Sequence, residues 1–356
     1  MAENTGKKIS AASARAHTRK SKQRGKNPFR FFSSKIMIAQ IAIGSLIGFL
    51  GYAYLAIRPH APKICGSPGG PPVTSPRVKL SDGRHLAYKE RGIEKEEAQY
   101  KIIVCHGFGD SKDFNLPVSE SDPNPARTVK SDAFDIQELA DKLNLGPRFY
   151  LIGISMGAYP VYGCLKYLPH RVLGAALVSP VVNYWWRCFP PELSKKALGK
   201  TIFQDRLTFR IAHYAPWLLN WWMTQKLFPS FSILQGKLDV FSRSDLEILK
   251  QSPEIPKEEQ EKILQQGAHE CFHRDLMVGF GKWEFDPMDI DNPFPNKEGS
   301  VHMWHGYEDK AVPQEVNRYL AEQLPWIHYH DVPSTGHLLI YNSTLCESIL
   351  TALLSS

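Results

Sequence analysis

Apolar residues fall along this chain in three kinds of stretch: one long unbroken run, several short continuous runs, and segments with helical spacing. The long run is Ile36 to Ile57, 22 residues in which Gln40 and Ser45 are the clearly polar positions. A helix of that length reaches ~33 Å, enough to cross a bilayer's hydrocarbon core. The short runs lie at 101–105, 149–152, 172–178, 300–304 and 326–332. Each is bounded by turn-forming residues and reads as a buried strand. Helical spacing marks 132–145, where Ile136, Leu139, Ala140 and Leu143 share a face, and 158–168. Arg77–Leu80 and His85–Tyr88 flank Ser81-Asp82-Gly83 as a β-hairpin. Strands alternating with helices predict an α/β fold on a mostly parallel sheet. About 120 residues of helical pattern separate the runs at 172–178 and 300–304, an inserted helical cap. The expected organisation is a basic tail (1–35), a transmembrane signal anchor (36–57), a Pro/Gly-rich tether (58–76), a core in two parts (77–180 and 300–356) and the cap (181–299).

Charge sharpens this picture. Of the formal +7 on 356 residues, residues 1–35 carry ten Lys/Arg against Glu3, a net +9, which leaves −2 for the rest. Nothing in a nearly neutral globular part argues for a nucleic-acid partner, and a basic tail beside an apolar span fits a membrane surface. The positive-inside rule puts the tail in the cytosol and the globular part in the lumen of the secretory pathway, with a plastid membrane or a buried helix as the alternatives. Gly44-Ser45-Leu46-Ile47-Gly48 offers a helix-pairing face for a weak homodimer. Six cysteines without close spacing set no redox compartment, and Cys105 and Cys164 read as small buried hydrophobes. Asn342-Ser343-Thr344 is a sequon, although Asn342 also suits a helix cap. The cap is rich in aromatics, among them Tyr184, Trp185, Trp186, Tyr214, Trp217, Trp221 and Trp222. They serve to knit cap to core, to wall an acyl-binding site, or to dip into a bilayer surface.

The chemistry centres on Gly153-Ile154-Ser155-Met156-Gly157, straight after an apolar strand and before a helix. G-x-S-x-G in that setting is a nucleophile elbow, a sharp turn that lifts the serine hydroxyl out of the sheet. Downstream, one strand runs into His305-Gly306-Tyr307-Glu308-Asp309 and the next into Pro333-Ser334-Thr335-Gly336-His337. Upstream, 101–105 enters His106-Gly107-Phe108-Gly109. With these four motifs in this order, the chain from about Pro76 onward resembles the α/β-hydrolase superfamily, in particular plant members tethered to membranes. The resemblance implies Ser155 as nucleophile, His337 as general base and acid, and Asp309 as the orienting carboxylate. It also implies an oxyanion hole from the backbone N–H groups of Phe108 and Met156, with no cofactor and no metal. Glu308 and Asp331 are the rival acids, and Asp331 falls inside a strand. His106 and His305 each precede a glycine and suit structural bonds to backbone. Members that open epoxides or remove halides place aspartate at the elbow, so the serine points to cleavage of esters or thioesters. The implied substrate is a small-molecule carboxylic ester with an apolar acyl group. The other reading is a binding or receptor-like protein on this fold, or an inactive isoform. His269-Glu270-Cys271-Phe272-His273 matches the zinc-protease pattern H-E-x-x-H, but Gly267 just before it is a poor lead-in to a long helix. Surface residues on a cap helix are the expectation there.

One region departs from the family. Between the oxyanion loop and the helix near 132 the family carries a helix, a strand and a loop, whereas here only Gly109–Ser131 is available. Pro117, Pro123 and Pro125 and the scattered charges leave no strand to draw, so one central strand is expected to be missing. Either the hairpin shifts to pair with 101–105, or that strand's edge stays open.

Overall fold

The computed structural model describes residues 34–108, 121–251 and 266–355. The chain divides into two units, residues 1–56 and 57–356. Helix α1 (Ser34–Ile57) is uninterrupted, and none of its most apolar stretch is buried. A helix without a polar face is not at home in water, and this one is long and apolar enough to cross a membrane.

In the second unit, β3 (Ile102–Cys105), β4 (Phe149–Ile154), β5 (Val172–Val178), β6 (Val301–Gly306) and β7 (Ile327–Val332) form one sheet in that order. All four pairings are parallel. Successive side chains on a strand point to opposite faces, so continuous apolar runs mean that both faces are covered. Phe149, Leu151, Ala175 and Leu177 enter the larger cluster, together with Ala133 and Ile136 of α2 (Val129–Lys142), Val161 of α3 (Ala158–Tyr167) and Leu320 of a helix at 314–323. Tyr150, Ile152, Ala176 and Val178 face the other way, against Ile349 and Leu353 of the last helix, 343–354. Asn342 caps that helix by accepting from the N–H of Leu345 at 3.1 Å.

Helix α2 starts three residues before the expected 132. Thr128 and Ser131 form a capping box, each side chain bonding the other's backbone N–H, and that fixes the first turn at Val129. The hairpin β1 (Arg77–Lys79) and β2 (His85–Ala87) forms with the expected pairing. It does not shift onto β3. Arg84 grips both carboxylate oxygens of Asp135 on α2 at 2.8 and 3.0 Å, and Asp122 accepts from the backbone N–H of His85 at 2.8 Å. The hairpin is therefore fastened to α2 and to residues 121–122, and among the described residues β3 has β4 as its single neighbour. All four β3 residues are half-buried, whereas all six of β4 are buried. Residues 121–128 contain no strand; the rest of the interrupted region, 109–120, lies outside the described residues.

The cap consists of α4 (Pro191–Lys200), α5 (Phe203–Tyr214), α6 (Pro216–Thr224), α7 (Arg243–Gln251) and α8 (Arg274–Phe280). Its aromatics divide into two sets. Tyr184, Trp186 and Trp222 are buried in the core cluster, while Tyr214, Trp217 and Trp221 are exposed. Arg127 ties cap to core by pairing with Asp132 on α2 at 2.9 Å and with Asp275 on α8. Helix α9 (Gln314–Gln323) follows β6, and α10 (Ser343–Leu354) follows β7.

Three histidines stack at the β6–β7 edge. Ser300 Oγ and His302 Nε2 are joined at 2.7 Å, and His302 Nδ1 and His330 Nε2 at 2.9 Å; His328 stacks on His302. Burial, with His330 and His328 adding to it, pushes the His302 imidazole down to about 4. The unfolded ring takes up its proton near 6.5. Between those values the unfolded chain binds more protons, so stability falls as pH drops from about 6.5 to about 4. Melting curves of the parent should lose about 1–3 kcal/mol over that window relative to His302→Gln. Parallel curves for the two proteins would contradict it.

Candidate active site

Strand β4 ends at Ile154, and Ser155 sits at φ +52°. That left-handed conformation is uncommon for a residue with a side chain and is tolerated where surrounding structure enforces it. Gly157 shows the enforcement: a Cβ there would overlap the carbonyl oxygens of Cys105 and His106. The elbow is thus pressed against the end of β3, and the loop at 106–108 borders the serine. Burial pushes the Cys105 thiol up to about 12, so this neighbour stays an uncharged apolar group.

The loops that follow β6 and β7 deliver the next two groups. Ser155 Oγ lies 2.9 Å from His337 Nε2, and His337 Nδ1 donates to Asp309 Oδ2 at 2.8 Å. The other carboxylate oxygen accepts from the N–H groups of Ala311 and Val312, each at 2.9 Å. Asp309 is fully enclosed. Burial alone would raise its pKa, but the charge of His337 and hydrogen bonds from His305 and His337 outweigh it and hold the carboxyl well below the usual range. His305 Nε2 donates to the Val312 carbonyl at 3.1 Å and lies 3.3 Å from Asp309 Oδ2. Its Nδ1 lies 3.1 Å from Asn317 Nδ2, which orients the ring. His305 therefore makes the backbone bond expected of it and also steadies the carboxylate. His106 Nδ1 likewise donates to the Gly107 carbonyl at 2.7 Å. Of the rival acids, Asp331 is exposed and paired with Arg318 at 2.6 Å, and Glu308 is exposed on the loop.

The model of the alpha/beta hydrolase family matches residues 98–344, well over half of the chain. The chain belongs to the α/β-hydrolase family. Among solved structures it resembles an esterase from Exiguobacterium antarcticum, at 16% identity and TM-score 0.51 over 78% of this chain and 100% of that one. It also resembles a hydrolase from Pseudomonas aeruginosa, at 15% identity and TM-score 0.51 over 79% of this chain and 98% of that one. Likeness at such identities is a likeness of fold. No curated protein matches the chain.

In this hydrolase Met156 follows the serine in the helical turn Ser155–Gly157, and the loop that holds Phe108 follows β3, whose end the turn touches. The Phe108 ring lies 5.3 Å from the rings of Phe231 and Phe272, both from the cap. The cap residues that meet the 106–108 loop here are therefore aromatic.

Sequence patterns alone missed one residue of the hydrolase's site. Asp245, fully buried at the start of α7, accepts from the backbone N–H of His337 at 3.1 Å and of Leu338 at 2.7 Å. It also accepts from the N–H and the hydroxyl of Ser242, each at 2.9 Å. A Cβ on Gly336 would overlap this carboxylate, so glycine is required there. The cap thereby holds the histidine loop in place. Ser242-x-x-Asp245 ahead of an apolar helix was a visible helix-start signal, but nothing in it named His337 as the partner.

The H-E-x-x-H stretch is a helical turn leading into α8. His273 is buried, not on the surface as expected, and burial with His269 nearby pushes its imidazole down to about 3. Glu270 is held by both Nε and Nη2 of Arg274 at 2.6 Å, which engages both its oxygens and leaves it no role as a base.

Proposed function

We propose that this hydrolase is a membrane-anchored serine esterase acting on carboxylic esters with an apolar acyl group. The observation that carries the reading is the continuous hydrogen-bonded chain from Ser155 through His337 to Asp309, at 2.9 and 2.8 Å. Ser155 Oγ attacks the ester carbonyl carbon as His337 Nε2 takes its proton. The oxyanion is received by the N–H groups of Phe108 and Met156, a geometry typical of acyl transfer. Collapse expels the alcohol, to which His337 returns the proton. Water, deprotonated in turn by His337, attacks the acyl-enzyme and releases the acid and free Ser155. Asp309 keeps the Nδ1–H tautomer and offsets the imidazolium charge. The apolar acyl preference rests on Phe108, Phe231 and Phe272. Esterase activity in the Exiguobacterium antarcticum neighbour agrees with the class. Residues 36–57 act as the anchor, with the basic tail cytosolic and the globular unit lumenal.

A panel of nitrophenyl esters of graded acyl length tests this reading. Expected is turnover that rises in kcat/KM with chain length, by several-fold per pair of methylenes if the aromatic wall binds them. No turnover of any ester by folded protein would identify a binding protein on this fold instead.

A further inference from the structure

The cap carries an apolar face that its own packing does not use. On α6 the inward residues are Leu219 and Trp222, and Trp222 Nε1 donates to Thr208 Oγ1 at 2.7 Å. Trp217 and Trp221, one helical turn apart, point outward, and Trp217 is 58% exposed. The following loop extends this face, with Leu227 at 77% and Phe228 at 60% exposure. That loop is built to hold them out. Gln225 Oε1 accepts from the N–H groups of Leu227 and Phe228 at 2.7 and 2.9 Å, and its Nε2 donates to the carbonyls of Trp222 and Phe228 at 3.1 and 2.7 Å. Leaving such side chains in water is unfavourable, and an apolar patch of this kind marks an interaction surface.

Charge and chain connection identify what covers it. The loop itself carries the exposed Lys226, and no acid occurs from residue 216 to residue 236. Asn220 shares the outer face of α6 with Trp217 and Trp221, and its Nδ2 donates to the carbonyl of Ile57 at 3.2 Å. Ile57 is the last residue of the 23-residue apolar span. The globular unit begins at Ile57, so the start of that unit is tied to α6.

We propose that the outer face of α6 and the 225–228 loop form a bilayer-docking surface. Trp217 and Trp221 sit at the headgroup level, Leu227 and Phe228 reach the acyl boundary, and Lys226 meets lipid phosphates. Trp is favoured at that depth because its ring is apolar and its N–H polar. Each nearby cation adds attraction to anionic lipid. The proposal rests on the reading of residues 36–57 as an anchor. It adds that the cap lies on the membrane, so that an ester dissolved in the bilayer reaches the enzyme without crossing water.

The full-length chain in vesicles of phosphatidylcholine and phosphatidylserine, with acyl chains brominated near the headgroup or unbrominated, provides the test. The emission difference between the parent and the Trp217→Phe, Trp221→Phe double variant isolates those two rings. Brominated lipid should remove more than half of that difference. The Leu227→Ser, Phe228→Ser variant keeps both tryptophans and should lose most of the quenching. An undiminished difference in protein that resists alkaline extraction overturns the docking surface while the anchor stands. The same result with copies cross-linked through α6 assigns the face to a second chain and also overturns it. Extraction of the chain by alkali removes the anchor and the proposal together.

Discussion

Replacing Ser155 with alanine should lower kcat by about 10⁴–10⁶-fold, and His337→Ala by a similar factor, because the nucleophile and its base act as a unit. Asp309→Asn should cost about 10⁴-fold. The amide would accept from Nδ1–H poorly, and its own N–H₂ would favour the tautomer in which Nε2 carries the proton. His337 could then no longer take a proton from Ser155 Oγ, which now lies 2.9 Å away. Asp309 also receives the N–H groups of Ala311 and Val312 through Oδ1. Asparagine can keep that side of the carboxyl, so the melting temperature should move far less than the rate. Steady-state kinetics on a chromogenic ester, with melting curves alongside, separate the two effects. A parent-like rate for Asp309→Asn would remove it from the catalytic chain.

The largest effect expected away from the triad is at Asp245. Alanine there takes from the N–H groups of His337, Leu338 and Ser242 the fully buried carboxylate they share. Each stranded donor costs about 1–3 kcal/mol, and a total of ~3–5 kcal/mol is a large part of a net stability of ~5–15 kcal/mol. The histidine loop should loosen as well, so kcat should fall about 10²-fold with KM nearly unchanged. Asp245→Asn retains one acceptor oxygen and should recover part of both losses. Unchanged kcat in a stably folded Asp245→Ala would show that the loop holds itself.

The elements of the site could be read where chemistry and strand-end context coincide in sequence. Ser155 lies between glycines straight after β4, and Asp309 and His337 follow β6 and β7 as turns. The parallel sheet was legible for the same reason: its apolar runs are continuous because both faces are covered. Asp245 was not legible, because its contact with His337 spans 92 residues and its local pattern reads only as a helix start. The division of the cap aromatics was hidden too. Trp221 and Trp222 are adjacent and chemically identical, and only the placement of α6 against Thr208 decides which ring turns inward. The hairpin's position depended on Arg84 meeting Asp135, 51 residues away, a pairing that no short-range pattern selects.

The most direct test of the central claim is the site of attack by a fluorophosphonate probe on the folded, full-length chain. Peptide mass spectrometry should find one adduct, on the peptide that holds Ser155. That adduct should be absent from Ser155→Ala and from heat-unfolded protein. Folded parent protein that takes no probe, or takes it at another residue, would contradict the account.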